Sequence, residues 1–299
     1  MTVVDEKVDE EADVARARIA LRRVWPDAGG VEAVELRPLG GGFNARSYLA
    51  VGGGRRHVLR LPVAGSVAWL DLATEARAMR AAAEADLAPA VIAVDVEAGL
   101  LLTDYRMTLW TPGLMQQSTS IALIARLLRD LHSLHVDLPV YSIRHFTATY
   151  LATLATLAAH VQSDEEKRWA DELTQLGRDF DLSFRATAFC HNDLVAANIL
   201  LDGAAARLID FEYAGRGAPL LDLASLAAMN DFAATQKRQL LSEYYGTAAA
   251  APALRDLDNA VRMVRLLAYF WGRVAERRLA EAHAHAELAA SIGATLRQG

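Results

Sequence analysis

Four polar residues in a fixed order stand out in the segment CHNDLVAANILLDGAAARLIDFEYAG. His191 and Asp193 are followed by Asn198, and Asp210 comes directly after a short apolar run. A carboxylate can take the proton of a hydroxyl group, and magnesium prefers carboxylate and amide oxygens as ligands. A solvated polar loop is the alternative, but the ordered set favours phosphoryl transfer. Asp193 would be the base, Asn198 and Asp210 the metal ligands, and His191 the residue that holds the loop.

The N-terminal half contains residues that could hold the phosphates of a nucleotide. On the predicted strand HVLRLP, Arg60 faces away from the neighbouring leucines, and a guanidinium group can bind phosphate oxygens in a bidentate way. Glu75, in the next predicted helix, would orient it. An earlier glycine cluster is interpreted as a phosphate-binding loop, although three glycines alone more often form a turn. The predicted nucleotide-binding residues are Gly40, Gly41, Gly42, Asn44, Arg60 and Glu75.

Length and composition restrict the class of protein. The chain has 299 residues, 53% hydrophobic and 23% charged, which is enough for the cores of about two domains. Its net charge of −6 argues against nucleic acid as a partner. The single Cys190 excludes an internal disulfide, no apolar run is long enough to span a membrane, and the charged start lacks the apolar core of a signal peptide. We expect a cytoplasmic protein with no membrane partner.

The hydrophobic pattern predicts an α+β fold in two parts. Residues 1–30 are interpreted as a polar tail and a helix whose apolar positions are Ile19, Leu21 and Val24. The next part contains one helix, 71–85, and short strands at 34–39, 47–51, 57–61, 91–94 and 100–103. From residue 119 the pattern is mostly helical, interrupted by short strands at 188–190, 199–201 and 207–209. The later helices are predicted at about 146–161, 165–178, 219–230, 235–245 and 255–282.

Together these motifs resemble the choline/ethanolamine kinases, within the wider group of aminoglycoside-phosphotransferase-like proteins. The resemblance runs from about residue 36 to 230, through LGGGFNARSYLAV, HVLRLP, TEARAMRAAAEADLAPAVIAVD, FCHNDLVAANILL, LIDFEYAG and APLLDLASL. It implies a bilobal protein-kinase-like fold, with a small β-sheet lobe that carries one main helix (1–105) and a larger helical lobe (106–299). It also implies ATP as the phosphate donor, Mg²⁺ as the cofactor, an adenine-binding hinge near 104–106, and Asp222 as the support of the catalytic loop.

The resemblance further implies a small cationic amino alcohol as the acceptor, most simply choline or ethanolamine. Tyr213 and Trp271 stand where this family places pocket aromatics, and Glu212 is a third predicted substrate-binding residue. An aromatic face attracts a quaternary ammonium group by about 0.5 to 2 kcal/mol. Choline kinases often carry a second tryptophan three positions after the first, where this chain has Val274. Thiamine and other amino alcohols therefore stay open as acceptors.

Two further functions stay open. An aminoglycoside phosphotransferase would share the catalytic loop, and a nucleotide-binding pseudokinase scaffold would usually lack the base or a metal ligand. Cys190 beside His191 does not predict a nucleophile, because neighbouring strand residues point to opposite faces. His132 and His135 are interpreted as packing at the end of a helix. The oligomeric state is open, with a homodimer as one option.

Overall fold

The chain folds into two compact units in a computed structural model. The structure describes residues 3–26, 30, 33–39, 45–62, 71–108, 113–157, 162–201, 205–246, 252–278 and 282–298. Unit 1 consists of Met1–Thr108 with Leu208–Glu212, and unit 2 consists of Leu109–Arg207 with Tyr213–Gly299. None of the described helices combines the length and the hydropathy that crossing a membrane requires.

Unit 1 is an antiparallel sheet with helices, as the pattern of short strands predicts. Its helices are α1 (Val3–Val24) and α2 (Leu72–Glu84). Its strands are β1 (Glu35–Leu39), β2 (Ala45–Gly52), β3 (Arg55–Pro62), β4 (Val91–Asp95) and β5 (Leu100–Asp104). The strand order is β1-β2-β3-β5-β4, and all neighbours are antiparallel. The five strands and the helix between the third and fourth of them confirm the prediction.

The hairpin between β2 and β3 fixes which residues of β3 face the core. Gly53 and Gly54 both have positive φ, 56° and 72°, and such a two-residue turn matches the twist of the strands that it joins. Residues alternate between the two faces of a strand, so Leu59 and Leu61 are buried on one side and Arg60 points to the other. The predicted orientation of Arg60 is therefore confirmed.

Helix α1 covers one face of this sheet. The core between them contains Ala17, Ala20, Leu21, Val24, Trp25, Val34, Tyr48, Ala50, Leu59, Leu61, Leu100 and Leu102. Of the three apolar positions singled out in this helix, Leu21 and Val24 are buried, whereas Ile19 is 62% exposed. Alanines at positions 17 and 20 take its place, since a small side chain lets the helix approach the sheet closely.

Unit 2 is mainly helical among its described residues. Its helices are α3 (Ser118–Ser133), α4 (Ile143–Thr156), α5 (Asp164–Ser183), α6 (Pro219–Met229), α7 (Ala234–Tyr245), α8 (Leu254–Arg278) and α9 (Ala282–Gln298). Short strands interrupt them: β6 (Ala188–Cys190), β7 (Ile199–Leu201), β8 (Ala206–Leu208) and β9 (Gly215–Gly217). Strand β6 pairs antiparallel with β9, and β7 pairs with β8.

Two elements of this unit differ from the prediction. The helix predicted over 255–282 ends at Arg278, and a separate helix, α9, follows it. The two helices approach closely at Gly272, where an added Cβ would lie 3.2 Å from the Cβ of Ala289. Strand β9 was not predicted, because a Gly-Arg-Gly segment has no strand propensity of its own.

His57 on β3 gives the stability of unit 1 a pH dependence. Burial lowers the pKa of its imidazole below the ordinary 6.5, and Arg55 adds to this, although the Asp104 carboxylate at 3.9 Å opposes it. Above pH 6.5 the stabilisation from neutral His57 is fully present, and it is lost as the pH falls from there through the lowered pKa. We expect the free energy of unfolding to fall from about pH 7 to about pH 5, and His57→Phe to reduce that fall.

Urea unfolding curves across this pH range measure the effect. His283→Gln is the matched control, because that imidazole is 89% exposed and its loss should leave the slope unchanged. The same slope in His57→Phe as in the wild type would contradict the prediction.

Candidate active site

The loop 191–198 joins β6 to β7 and carries the polar residues that the sequence singles out. It leaves β6 after Cys190 and ends in a short 3₁₀ helix, Ala196–Asn198, which runs directly into β7. Asn192 has a φ of 66°, in the left-handed region that asparagine tolerates better than most residues. The loop therefore turns sharply at the residue before Asp193.

The carboxylate of Asp222, in the first turn of α6, anchors this loop. Its Oδ2 accepts a hydrogen bond from the backbone N–H of His191 at 2.8 Å, and its Oδ1 accepts one from the N–H of Asn192 at 2.7 Å. Asp222 is fully buried. Burial alone would raise its pKa, but the hydrogen bonds and Coulombic interactions with His132 and His191 outweigh burial and lower it. The anchor therefore stays ionised.

Two further polar residues, His132 and Tyr244, extend the hydrogen-bond network from Asp222. His132 Nε2 lies 2.9 Å from Asp222 Oδ2, and His132 Nδ1 lies 2.6 Å from the hydroxyl of Tyr244. The ionised carboxylate requires the Nε2 proton, so in the neutral ring Nδ1 accepts a hydrogen bond from the tyrosine. His132 is thus part of the support of the loop, and its interpretation as helix-end packing is wrong.

The same region contains a set of residues with potential metal-ligand chemistry. The ligand atoms of His132, Cys190 and Asp222 lie within 4.8 Å of one another. The carboxylate already accepts two backbone N–H groups and one imidazole. Burial, together with the charge of Asp222, raises the pKa of the Cys190 thiol well above its ordinary value. A neutral thiol beside a saturated carboxylate is a poor metal site, so we assign this set a supporting role.

Asp193 and Asn198 meet across the loop. The side-chain amide of Asn198 donates through Nδ2 to both the backbone oxygen and Oδ2 of Asp193, each at 3.0 Å. These bonds use the nitrogen of the amide and leave its oxygen for another partner. The backbone N–H of Asp193 donates to Nδ1 of His191 at 3.3 Å, and His191 itself is fully buried. The contacts of His191 are those of a residue that holds the loop.

Unit 1 contains an ion cluster built on Arg60. Its Nη2 donates to Oε2 of Glu75 on α2, and its Nη1 donates to Oδ1 of Asp210. Asp210 follows β8 and has a left-handed backbone, with a φ of 65°. The Arg60 and Glu75 side chains are 17% and 4% exposed, so the pair is largely shielded from water. The structure thus brings together three residues predicted from separate motifs.

The charges of this cluster do not balance. Burial would lower the pKa of Arg60, but Glu75, Asp210 and Glu212 raise it by Coulombic attraction, so the guanidinium stays charged. Burial and the nearby Asp210 raise the pKa of Glu75, against the pull of Arg60. With the carboxylates ionised, one cation faces three anions. This excess of negative charge and the hard oxygen donors fit a divalent cation such as Mg²⁺.

An aromatic cluster in unit 2 lies within electrostatic range of Asp193. Phe146 stacks on Tyr141, with ring centroids 4.7 Å apart, and contacts the ring of Tyr213 edge-on at 5.8 Å. Tyr150, one helical turn after Phe146 on α4, lies 6.1 Å from it. Burial raises the pKa of Tyr141 well above its ordinary value, and the charge of Asp193 contributes, so this phenol stays neutral.

The backbone of β9 positions Tyr141 in this cluster. Tyr141 N donates to the oxygen of Arg216 at 3.0 Å, and Arg216 N donates to the oxygen of Pro139 at 2.8 Å. A Cβ on Gly215 would lie 2.9 Å from the oxygen of Pro139, so this close backbone approach requires glycine. The unpredicted strand β9 therefore helps to build the aromatic cluster.

Other predicted residues have different surroundings. Trp271 on α8 makes an edge contact with His285 of α9, with centroids 5.6 Å apart. The predicted loop residues Gly40, Gly41, Gly42 and Asn44 lie outside the described residues.

At the predicted hinge, the N–H groups of Asp104 and Tyr105 already donate to the oxygens of Ala90 and Arg56. These two backbone donors are therefore already used within unit 1.

Sequence reasoning missed two parts of this site. Phe146 and Tyr150 are four residues apart, a spacing that places two aromatic side chains on one face of a helix and could have been noticed. The bond between His132 and Tyr244 joins residues 112 positions apart, and no local pattern indicates it.

Comparisons with known proteins agree with this geometry. Residues 35–257 match the phosphotransferase enzyme family. Protein LicA of Haemophilus influenzae is 30% identical over 194 residues, which are 62% of this chain and 56% of LicA. The chain thus spans little more than half the length of that relative.

Two solved structures share the fold. A choline/ethanolamine kinase family protein from Mesorhizobium loti has a TM-score of 0.72 and 25% identity, with 94% of each chain covered. The choline kinase LicA from Streptococcus pneumoniae has a TM-score of 0.77 and 18% identity, with 95% of this chain and all of that chain covered. The predicted α+β, protein-kinase-like fold is confirmed.

The ion cluster predicts a large loss of stability when Arg60 is removed. Arg60→Met leaves the buried carboxylate of Glu75 without its cation, so we expect the free energy of unfolding to fall by about 3 kcal/mol. Adding Glu75→Gln removes the unpaired charge, and the double variant should recover part of the loss. Arg55→Met, an exposed arginine on the same strand, is the control and should change little. Urea unfolding measures the free energy of unfolding of all three variants. A double variant that is no more stable than Arg60→Met would contradict the coupling.

Proposed function

The chain belongs to the phosphotransferase enzyme family, and from this premise we propose that it transfers the γ-phosphate of ATP to the hydroxyl of a small cationic amino alcohol. The observation that carries the proposal is the pair of Asp193 and Asn198, hydrogen-bonded to each other on a loop whose backbone is fixed by Asp222. Choline and ethanolamine are the acceptors that we propose first.

In this proposal Asp193 is the base. Its carboxylate accepts the proton of the acceptor hydroxyl while the hydroxyl oxygen forms a bond to the γ-phosphorus, and the bond from that phosphorus to the β-γ bridging oxygen breaks, which releases ADP. Asn198 holds one carboxylate oxygen of Asp193 by its amide hydrogen, which fixes the orientation of the carboxylate. The contribution of the loop is orientation, because a fixed base avoids the entropy cost of finding the hydroxyl.

The proposed metal ligands are the side-chain oxygens of Asn198 and Asp210. Bound Mg²⁺ would supply positive charge that offsets the negative charge of the phosphates during transfer. Arg60 keeps its charge beside Asp210, and we propose that its guanidinium also contacts phosphate oxygens. Glu75 holds Arg60 in place from α2.

We propose the aromatic cluster of Tyr141, Phe146, Tyr150 and Tyr213 as the binding site for the cationic end of the acceptor. Aromatic faces attract ammonium groups, and the negative charge of Asp193 acts on the same region. Glu212 and Trp271 remain proposed substrate-binding residues from the resemblance. A neutral alcohol would gain neither the attraction of the ring faces nor that of the charge.

Replacing the base should abolish most of the activity. We expect Asp193→Ala to lower kcat by a factor of about 10² to 10⁴, because general-base catalysis contributes an effect of that size, and to leave nucleotide binding intact. The measurement is ADP release with Mg-ATP and a panel of choline, ethanolamine, thiamine and aminoglycosides. Calorimetric titration with nucleotide accompanies it.

Asp164→Asn serves as the control, because the Asp164 side chain is 89% exposed at the start of α5 and should not affect turnover. Undiminished turnover in Asp193→Ala would remove Asp193 from the mechanism. Turnover of an aminoglycoside alone would move the protein to the alternative acceptor class. A wild-type protein that binds nucleotide but phosphorylates nothing would favour the pseudokinase.

The proposed aromatic site predicts that the protein prefers a cationic acceptor to a neutral acceptor of the same shape. Wild-type protein should turn over choline with a lower KM than 3,3-dimethylbutanol, its neutral isostere. Tyr213→Leu and Phe146→Leu should each raise the KM for choline by about 3- to 30-fold, which corresponds to the loss of one cation–π contact, and should leave the KM for the isostere nearly unchanged. Equal effects on both alcohols would show that the rings supply only apolar packing.

A further inference from the structure

Asn192 contacts both the anchor of the loop and the segment that carries Tyr213. Its backbone N–H donates to Oδ1 of Asp222 at 2.7 Å, and its side-chain Nδ2 donates to the backbone oxygen of Tyr213 at 3.0 Å. A longer contact of 3.4 Å joins the same Nδ2 to the oxygen of Cys190. One residue thus ties the turn before Asp193 to the backbone of an aromatic residue 21 positions away.

The orientation of this amide is fixed by its surroundings. Rotating it by 180° would place Oδ1 against the carbonyl oxygen of Tyr213, and two acceptors repel each other. The Oδ1 atom is buried and has no hydrogen-bond partner among the described residues. It lies 3.3 Å from the place that a Cβ on Gly217 would occupy, so β9 closes the space on that side. The side chain therefore has one way to satisfy its donor.

We propose that Asn192 is a positioning residue that sets the distance between the base Asp193 and the acceptor-binding ring of Tyr213. The inference rests on the proposed function and deepens it, because it assigns a role in acceptor recognition to a residue outside the proposed base, metal ligands and aromatic cluster. Asp193 is the next residue in the chain, so a shift of the turn moves the base. The hydrogen bond from Nδ2 holds the backbone of Tyr213. Its loss would let this backbone shift, together with the ring that it carries.

The backbone role and the side-chain role of Asn192 can be separated by two variants. Asn192→Gly keeps the left-handed φ at no steric cost and removes the amide donor. Asn192→Asp keeps the shape and tolerates the same φ, but it places a carboxylate against the carbonyl oxygen of Tyr213. Asn259→Asp, an exposed asparagine on α8, is the matched control for the added charge.

Two measurements on the whole 299-residue chain test the inference. The first is hydrogen–deuterium exchange followed by mass spectrometry, where Asn192→Gly and Asn192→Asp should both increase exchange in the peptide that covers residues 213–217. The second is steady-state kinetics. Both variants should raise the acceptor KM by about 3- to 10-fold, as expected for the loss of one hydrogen bond, and leave the KM for ATP within about twofold of the wild type. Asn259→Asp should match the wild type in both.

Each outcome decides the question. Faster exchange together with a raised acceptor KM supports the proposal. Unchanged exchange, an unchanged acceptor KM, or an equal rise in the KM for ATP would overturn it, because a merely structural residue would disturb both substrates alike. If the wild type phosphorylates no acceptor, the proposed function fails. The exchange data then decide separately whether Asn192 couples the two segments.

Discussion

A single buried carboxylate organises the functional part of unit 2. An isolated charge in an apolar interior costs several kcal/mol, so Asp222 must be surrounded by donors. Three are present: the N–H groups of His191 and Asn192, and the imidazole of His132. Because two of them are consecutive backbone groups, both can reach one carboxylate only if the chain turns there, and Asn192 accordingly has a left-handed φ. The conformation of the loop thus follows from the need to satisfy one charge.

The same physical constraint shapes unit 1, where the buried charge is positive. The guanidinium of Arg60 is planar and offers several donors in fixed directions, so it can bond to Glu75 and Asp210 at once. A lysine ammonium has one nitrogen atom and would have to share it between the two carboxylates. In each unit a functional side chain is therefore fixed by the geometry of a hydrogen-bonded charge rather than by apolar packing.

The sequence predicts those parts of the site that depend on local spacing. The orientation of Arg60 follows from the period of a strand, and Asp193 and Asn198 lie on one short loop. Glu75 was predicted as the partner of Arg60 from the kinase pattern of a strand cation oriented by a helix carboxylate. The contact of Asn192 with Tyr213 has no such signal, because it depends on how β6 and β9 pair. Strand pairing is set by tertiary packing. A segment as short and glycine-rich as β9 has no sequence pattern that indicates its strand partner. Helix α9 was missed for a related reason, since its packing depends on a close approach at Gly272.

For the cationic end of the acceptor, an aromatic site suits the proposed chemistry better than a direct salt bridge to the base would. A cationic acceptor held by a direct salt bridge to Asp193 would occupy the oxygen that must take the proton of the hydroxyl. The faces of Tyr141, Phe146 and Tyr213 attract the cation without using any carboxylate oxygen. The burial that raises the pKa of Tyr141 keeps its phenol neutral, so no phenolate charge competes with Asp193 for the cation.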